Sequence, residues 1–309
     1  MSAAARTRAG APATSAATDR PRPGAPATGA AAGRAGEKPA VGRAGASGVA
    51  TLPTVHTDVL VIGGGGAAAM AALRARRRGA RAVLLSKESS PVGGATVTAA
   101  GVIQALLNPA DDPDTFFADI MRGGAYLNDP QLVRTLVERS SLALERLQEY
   151  GVVLDPGCLD PGQLGRGEGH SVARGYYDRR EMLGICVDLG RALAQAGVDF
   201  HPETAVFRLL TSHGRISGAL AFHLPSGGLV LFQAPAVVLA TGGLGGLYQL
   251  STNPRTLTGD GYALAWQAGA AVRDMEMIQF LPLAFPYPEA RRGHNIGVCG
   301  LFGPRVRLL

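Results

Sequence analysis

Thr57-Asp58-Val59-Leu60-Val61-Ile62-Gly63-Gly64-Gly65-Gly66-Ala67-Ala68 decides the fold. Its first half is a short apolar run suited to a strand buried on both faces. Its second half is a glycine turn that opens into small residues, Ala67 to Arg78, a stretch that reads as a helix stopped by Gly79. Arg81-Ala82-Val83-Leu84-Leu85 supplies a second buried strand, so strand, turn, helix and strand fit within about 30 residues, the span of one βαβ unit. Such a turn offers backbone N–H donors at close range and the positive end of a helix dipole, which together suit a pyrophosphate. In the G-x-G-x-x-G/A pattern, Gly63 makes the tight turn, Gly65 lets a phosphate approach and Ala68 permits close helix packing.

The same pattern calls for an acidic residue at the end of the second strand to bind a ribose. Ser86 stands there instead, followed by Lys87 and Glu88. A hydroxyl can still bond a ribose, and Glu88 reads as a solvated loop charge.

Upstream, residues 1–54 are Ala, Gly, Pro, Arg, Ser and Thr with almost no large apolar side chain, the composition of a disordered tail. Its Arg-rich, acid-poor make-up also resembles an organellar transit peptide, although interspersed Pro and Gly oppose an amphipathic helix. The formal charge of +6 sits mostly here, because residues 1–55 hold seven basic side chains against two acidic ones. A basic face for nucleic acid on the folded part is therefore unsupported. With 46% hydrophobic and 17% charged residues the rest has the composition of a globular domain. Cys158, Cys186 and Cys299 are widely spaced and unpaired by any CxxC, and the six histidines form no ligand pattern, so neither a disulfide framework nor a metal site is expected. No apolar run is long enough to span a membrane, and the expected compartment is the cytoplasm.

Downstream, Asp129-Pro130 caps a helix to about Tyr150, with Leu132, Val133, Leu136, Leu142, Leu144 and Leu147 at mixed helical spacing and Gly151 after it. A further helix runs from about Arg180 to Ala196 and ends at Gly197. Ala205 to Leu210, Ile216 to Leu224 and Leu229 to Gln233 read as strands, the last two joined as a hairpin through Pro225-Ser226-Gly227-Gly228. Ala236 to Thr241 reads as another buried strand, running into Gly242-Gly243. Thr258 or Asp260 is a plausible cap for a following helix. His170-Ser171 with Arg174 reads as a glycine-rich surface loop.

Four blocks, in this order and spacing, resemble the flavoprotein family of fumarate reductase, succinate dehydrogenase and L-aspartate oxidase. They are Asp58 to Ala72; Leu84 to Lys87 with Gly93 to Gly101; Ala240-Thr241-Gly242-Gly243-Leu244-Gly245 with Tyr248; and Asn253-Pro254 through Thr258-Gly259-Asp260-Gly261 to Phe280. The likeness covers roughly residues 57–282, and the Ser-Lys ending of the second strand is usual in this family. It implies an α/β fold: a Rossmann-like FAD-binding domain over 55–282 with a parallel sheet and a β-hairpin excursion, then the start of a capping domain over 283–309.

The resemblance also implies FAD. Its expected contacts are Gly63, Gly64, Gly65, Gly66, Ala67 and Ala68 at the turn, Ser86 and Lys87 after the second strand, and Gly94, Ala95, Thr96, Ala100 and Gly101 in the segment that wraps the flavin. Val206, Ala240, Thr241, Gly242 and Asp260 complete the set. Ala95 stands where some members carry the histidine that links FAD covalently, so the cofactor is expected to be non-covalent. In the family's Gln-Phe-His-Pro segment the histidine helps bind a dicarboxylate; this chain has Gln279-Phe280-Leu281-Pro282, and leucine donates no hydrogen bond. The capping domain of the family supplies an arginine to catalysis, a role given to none of Arg291, Arg292 and Arg305, so no catalytic residue is assigned. The implied activity is hydride transfer between flavin N5 and a small substrate such as a dicarboxylate or an amino acid, with a separate electron-transfer partner, which some members have. The alternatives are aspartate-oxidase-like amino-acid oxidation, an FAD-binding module without turnover, and an NAD-dependent Rossmann dehydrogenase.

Overall fold

The structure, a computed structural model, describes residues 52–99, 102–154, 164–167, 169–177 and 180–280. The expected tail up to residue 51, the expected capping segment beyond Pro282, Leu281, Cys158, Cys299 and the three terminal arginines lie outside the described residues.

The quoted stretch forms β2 (Val59–Ile62) and α1 (Gly66–Arg77), and the next strand is β3 (Ala82–Leu85). With β6 (Asp199–His201) and β10 (Ala236–Leu239) they make a four-stranded parallel sheet in the order β10-β2-β3-β6. Leu60, Val61 and Leu84 are fully buried, as central parallel strands covered on both faces require. Helix α1 lies close to the sheet because the side chains it buries are small, Ala68, Ala69 and Ala72, with Leu73 beside them. On the same side packs α5 (Glu181–Gln195), whose Ile185, Leu189 and Leu193 join Val61 and Leu84 in one apolar core.

The other face of the parallel sheet meets a second sheet in the order β1-β9-β8-β7, and Leu60, Ile62, Val83 and Leu85 share a core with Val206, Ala219, Ala221 and Phe232. Its strands are β1 (Thr54–His56), β7 (Thr204–Ser212), β8 (Arg215–His223) and β9 (Leu229–Gln233). The last two form the expected hairpin, and β7 adds to it antiparallel to β8. The first is a correction: the disordered tail was expected to reach residue 54 and no strand was expected before the run at Thr57, yet Thr54–His56 already pairs in parallel with β9. Three residues carry too little pattern to announce a strand that exists only through its partner.

Beyond the sheets lie α2 (Gly94–Thr98), β4 (Val102–Gln104), α3 (Pro113–Gly123), α4 (Pro130–Glu149), β5 (Gly175–Tyr177) and α6 (Asp260–Gln267), with β4 and β5 paired antiparallel. Asp129 caps α4 as expected, its carboxylate accepting from Gln131 and Leu132 N–H. The buried stripe of α4 is Val133, Val137, Ser140 and Leu144, while Leu132, Leu136 and Leu142 face outward. Asp112 caps α3 in the same way, with Pro113 next to it.

Two further expectations change. Strand β10 is only half-buried, because it occupies the edge of its sheet and has a partner on one side. The His170-Ser171-Arg174 segment is a loop with Ser171 exposed, as expected, but Arg174 does not lie at its surface. Arg174 is fully buried, its guanidinium donating to Asp111 at 2.6 and 2.7 Å and to Asp119 at 2.8 Å. Its ring-side neighbour is Phe116, 4.3 Å away, and Ser171 N–H and Oγ also donate to Asp119. The sequence shows two aspartates 63 and 55 residues before Arg174 but nothing that brings them together.

Candidate dinucleotide cleft

A cleft of about 880 Å³, counted with its open mouth, lies at the carboxyl ends of β2, β3 and β10. This is where an open parallel sheet binds ligands, since the connections leaving β2 and β10 diverge there and leave a crevice. The whole glycine turn from Gly63 to Ala67 lines it.

Each glycine of the turn has its own steric reason. Gly63 has φ +126°, and a Cβ there would stand 2.1 Å from the carbonyl oxygen of Ala240. A Cβ at Gly64 would stand 2.3 Å from Ser86 Oγ. At Gly65 the nearest atom is Thr96 Oγ1 at 3.3 Å, a tighter contact than a Cβ ordinarily makes but far looser than those at Gly63 and Gly64, and the position borders the cleft. Thr96 Oγ1 accepts from Gly66 N–H at 2.9 Å and so ties α2 to the first turn of α1. Ala68, expected among the contacts, is fully buried in the packing between α1 and the sheet and does not line the cleft.

Ser86 and Lys87 enter from the end of β3, Gly94, Ala95 and Thr96 from α2, and Val206 from β7. Ala240, Thr241, Gly242 and Asp260 close the far wall. Ala100 and Gly101 lie outside the described residues. Asp260 sits in the first turn of α6, whose cap is neither it nor Thr258 but Gly259, in a left-handed conformation at φ 74°. The carboxylate instead accepts from Lys87 Nζ at 2.6 Å and from Thr258 Oγ1 at 2.8 Å, and Lys87 Nζ also donates to Thr258 Oγ1. Burial pushes the Asp260 carboxyl upward, but the hydrogen bonds from Lys87 and Thr258 and the charge of Lys87 outweigh it and hold the group below the usual carboxylate range.

Several lining residues were not anticipated. Ile62, Leu85, Leu257 and Leu264 give the cleft an apolar floor, and Thr204 lies two residues before Val206 on the same face of β7. Glu88, expected as a solvated charge, lines the cleft with both carboxylate oxygens engaged: Gly94 N–H donates at 3.0 Å and Thr256 Oγ1 at 2.6 Å. Thr256 and Leu257 belong to the block Asn253 to Asp260, so that block was the signal available for them.

The family described as FAD binding domain matches residues 58–302. Among curated relatives, one component of the fumarate reductase (CoM/CoB) of Methanothermobacter marburgensis is 36% identical over 243 residues, 76% of this chain and 44% of the relative. L-aspartate oxidase of Mycobacterium tuberculosis is 39% identical over 228 residues, 73% and 42% of the two chains. Among solved structures, Mycobacterium smegmatis Sdh1 in complex with UQ1 superposes with a TM-score of 0.73 at 32% identity, over 81% of this chain and 44% of that one. The open conformation of a flavocytochrome c3 fumarate reductase gives 0.66 at 29% identity, over 74% and 43%. The chain thus spans less than half the length of each of these relatives.

The residues present fit a flavin dinucleotide. The turn leaves room at Gly65 for close approach, α1 directs its N-terminus at the cleft, and the apolar floor is bordered by a few polar groups.

Proposed function

This chain belongs to the FAD binding domain family, and from that premise we propose that it is the cofactor-holding part of an FAD-dependent oxidoreductase of the fumarate reductase, succinate dehydrogenase and L-aspartate oxidase type. The observation that carries the reading is the glycine turn itself, which lines the cleft from Gly63 to Ala67 and presents the N-terminus of α1 to it. Gly63 to Ala67 cradle the pyrophosphate with their amides, and the N-terminus of α1 adds its dipole. Ser86 and Lys87 border the ribose end. Gly94, Ala95 and Thr96, continuing into Ala100 and Gly101, border the flavin with Ala240, Thr241 and Gly242, while Val206 and Asp260 close the walls. FAD supplies acceptance and return of a hydride at N5; the protein holds it, orients it and limits water.

Ala95 offers no nucleophile for a covalent link, so the cofactor is held by contacts alone. The substrate is a small dicarboxylate or amino acid, the electron partner is a separate protein chain, and the compartment is the cytoplasm. Among the described residues no helix is long and apolar enough to cross a membrane. Leu281, where the family has a histidine that meets the dicarboxylate, favours a second reading: an FAD-binding module without turnover of its own.

Absorbance and redox titration test both. The purified chain is expected to show bound-flavin absorbance that dithionite bleaches anaerobically. Return of the colour on adding fumarate, or bleaching by L-aspartate alone, supports the oxidoreductase and names its substrate class. Bound flavin that responds to neither supports the module, and a chain that binds nicotinamide dinucleotide and no flavin overturns both.

A further inference from the structure

The short helix α2 lines the cleft with only five residues, too few to persist alone, and Gly93 at its N-cap has no side chain to hold its first N–H groups. The loop entering α6 borders the same cleft through Thr256 and Leu257. One carboxylate reaches both. Glu88 Oε2 accepts from Gly94 N–H at 3.0 Å, and Oε1 accepts from Thr256 Oγ1 at 2.6 Å. Gly93 is shaped to admit it, because a Cβ there would stand 2.1 Å from Oε2, and Gly93 N–H is bonded in turn to the carbonyl of Gly64 in the glycine turn. Glu88 is itself anchored from behind by its own N–H to Ser86 Oγ at 3.0 Å and by its carbonyl, which accepts from Glu203 N–H at 3.2 Å.

We propose that Glu88 is a cofactor-positioning residue, whose carboxylate fixes the spacing between the Gly93-Gly94 turn and the Thr256 loop that the bound dinucleotide needs. The proposal rests on the FAD reading above. It differs from the fingerprint's acidic residue, which closes the second strand and takes the ribose directly; that position is Ser86, and both Glu88 oxygens are spent on protein donors. Tied to one carboxylate, the two walls are held at a fixed spacing, which lowers the ordering cost of binding.

The test uses the full chain with E88A, E88Q and T256V, read by FAD titration through quenching of flavin fluorescence and by the visible circular dichroism of the bound flavin. E88A is expected to raise the FAD dissociation constant about tenfold or more, the scale of a lost charge-assisted hydrogen bond, and to change the visible dichroism of whatever flavin remains bound. E88Q keeps one acceptor oxygen and recovers part of both, and T256V reproduces part of the loss with no further loss when combined with E88A. If E88A fails to fold, T256V and E88Q carry the same two readouts. Wild-type affinity and an unchanged flavin spectrum in these variants overturn the proposal and leave the FAD reading standing. A wild-type chain that takes up no FAD overturns both together.

Discussion

Lys87 Nζ lies 2.6 Å from Asp260 Oδ2, joining the end of β3 to the first turn of α6 across 173 residues of sequence. Both groups are partly exposed, so the pair contributes about 1 kcal/mol rather than the several of a buried pair. Its pH dependence has a definite sign. The folded Asp260 carboxyl is held below its ordinary range, so the stabilisation is fully present above the unfolded value, near about 3.9, and is lost as pH falls through the folded one. K87M is therefore expected to unfold at lower urea than wild type by a margin that is constant from pH 7 to 5 and closes below about 4. A margin that persists unchanged to pH 3 would assign the effect to packing of the lysine stem instead.

The turn glycines separate fold from ligand. G63A puts a Cβ against the Ala240 carbonyl at a φ that side chains rarely adopt, so it is expected to lower the melting temperature of the cofactor-free protein by several degrees. G65A meets nothing closer than Thr96 Oγ1 at 3.3 Å. That neighbour must give slightly, so the cofactor-free melting temperature should fall less than in G63A while FAD binding falls by a factor of about ten or more, because a methyl stands where the pyrophosphate approaches. Equal FAD affinity in G65A and wild type would remove the pyrophosphate from that turn.

The legible part of this protein is the part encoded in contiguous residues. The β2-turn-α1-β3 unit, the caps of α4 and the β7–β9 excursion were readable because period, glycine position and capping chemistry all lie within a few residues of each other. What escaped reading depends on pairs distant in sequence. Strand β1 exists through β9, Arg174 is buried only because Asp111 and Asp119 fold over it, and Glu88 enters the cleft because Thr256 meets it 168 residues later. The edge position of β10 is likewise a property of the sheet order and not of Ala236 to Leu239, whose composition is that of a central strand.

Ala95 gives a chemical prediction. It lines the cleft on α2 where a covalent flavoprotein of this kind would carry histidine, and a methyl group forms no bond to the flavin. Precipitating the yellow protein with trichloroacetic acid is expected to leave all of the flavin in the supernatant, with a denatured pellet that does not fluoresce. Flavin retained in the pellet after washing would point to another attachment residue.

Arg174 is the largest fully buried side chain among the described residues. Its side chain is fully buried with Asp111, while Asp119 is 2% exposed, so every charge in the cluster depends on the others. Burial pushes the Asp119 carboxyl upward, yet the bonds from Arg174 and Ser171 prevail and bring it down to about 2. R174M deletes the cation and leaves two buried carboxylates, a change expected to cost about 3–5 kcal/mol at pH 7. In the variant, Asp119 keeps its bonds from Ser171 and its pairing with the partly exposed Arg122 but loses Arg174, so its carboxyl rises and becomes protonated on mild acidification. The difference from wild type in urea unfolding should accordingly be greatest at pH 7 and shrink toward pH 4, whereas loss of packing alone would give a difference that does not vary with pH. Replacing both acids as well, in D111N/D119N/R174M, should recover part of the loss at pH 7, because neutral amides bury at lower cost than unpaired charges. A triple variant no more stable than R174M would place the penalty in the lost contact between the guanidinium and the Phe116 ring, 4.3 Å apart in the native chain.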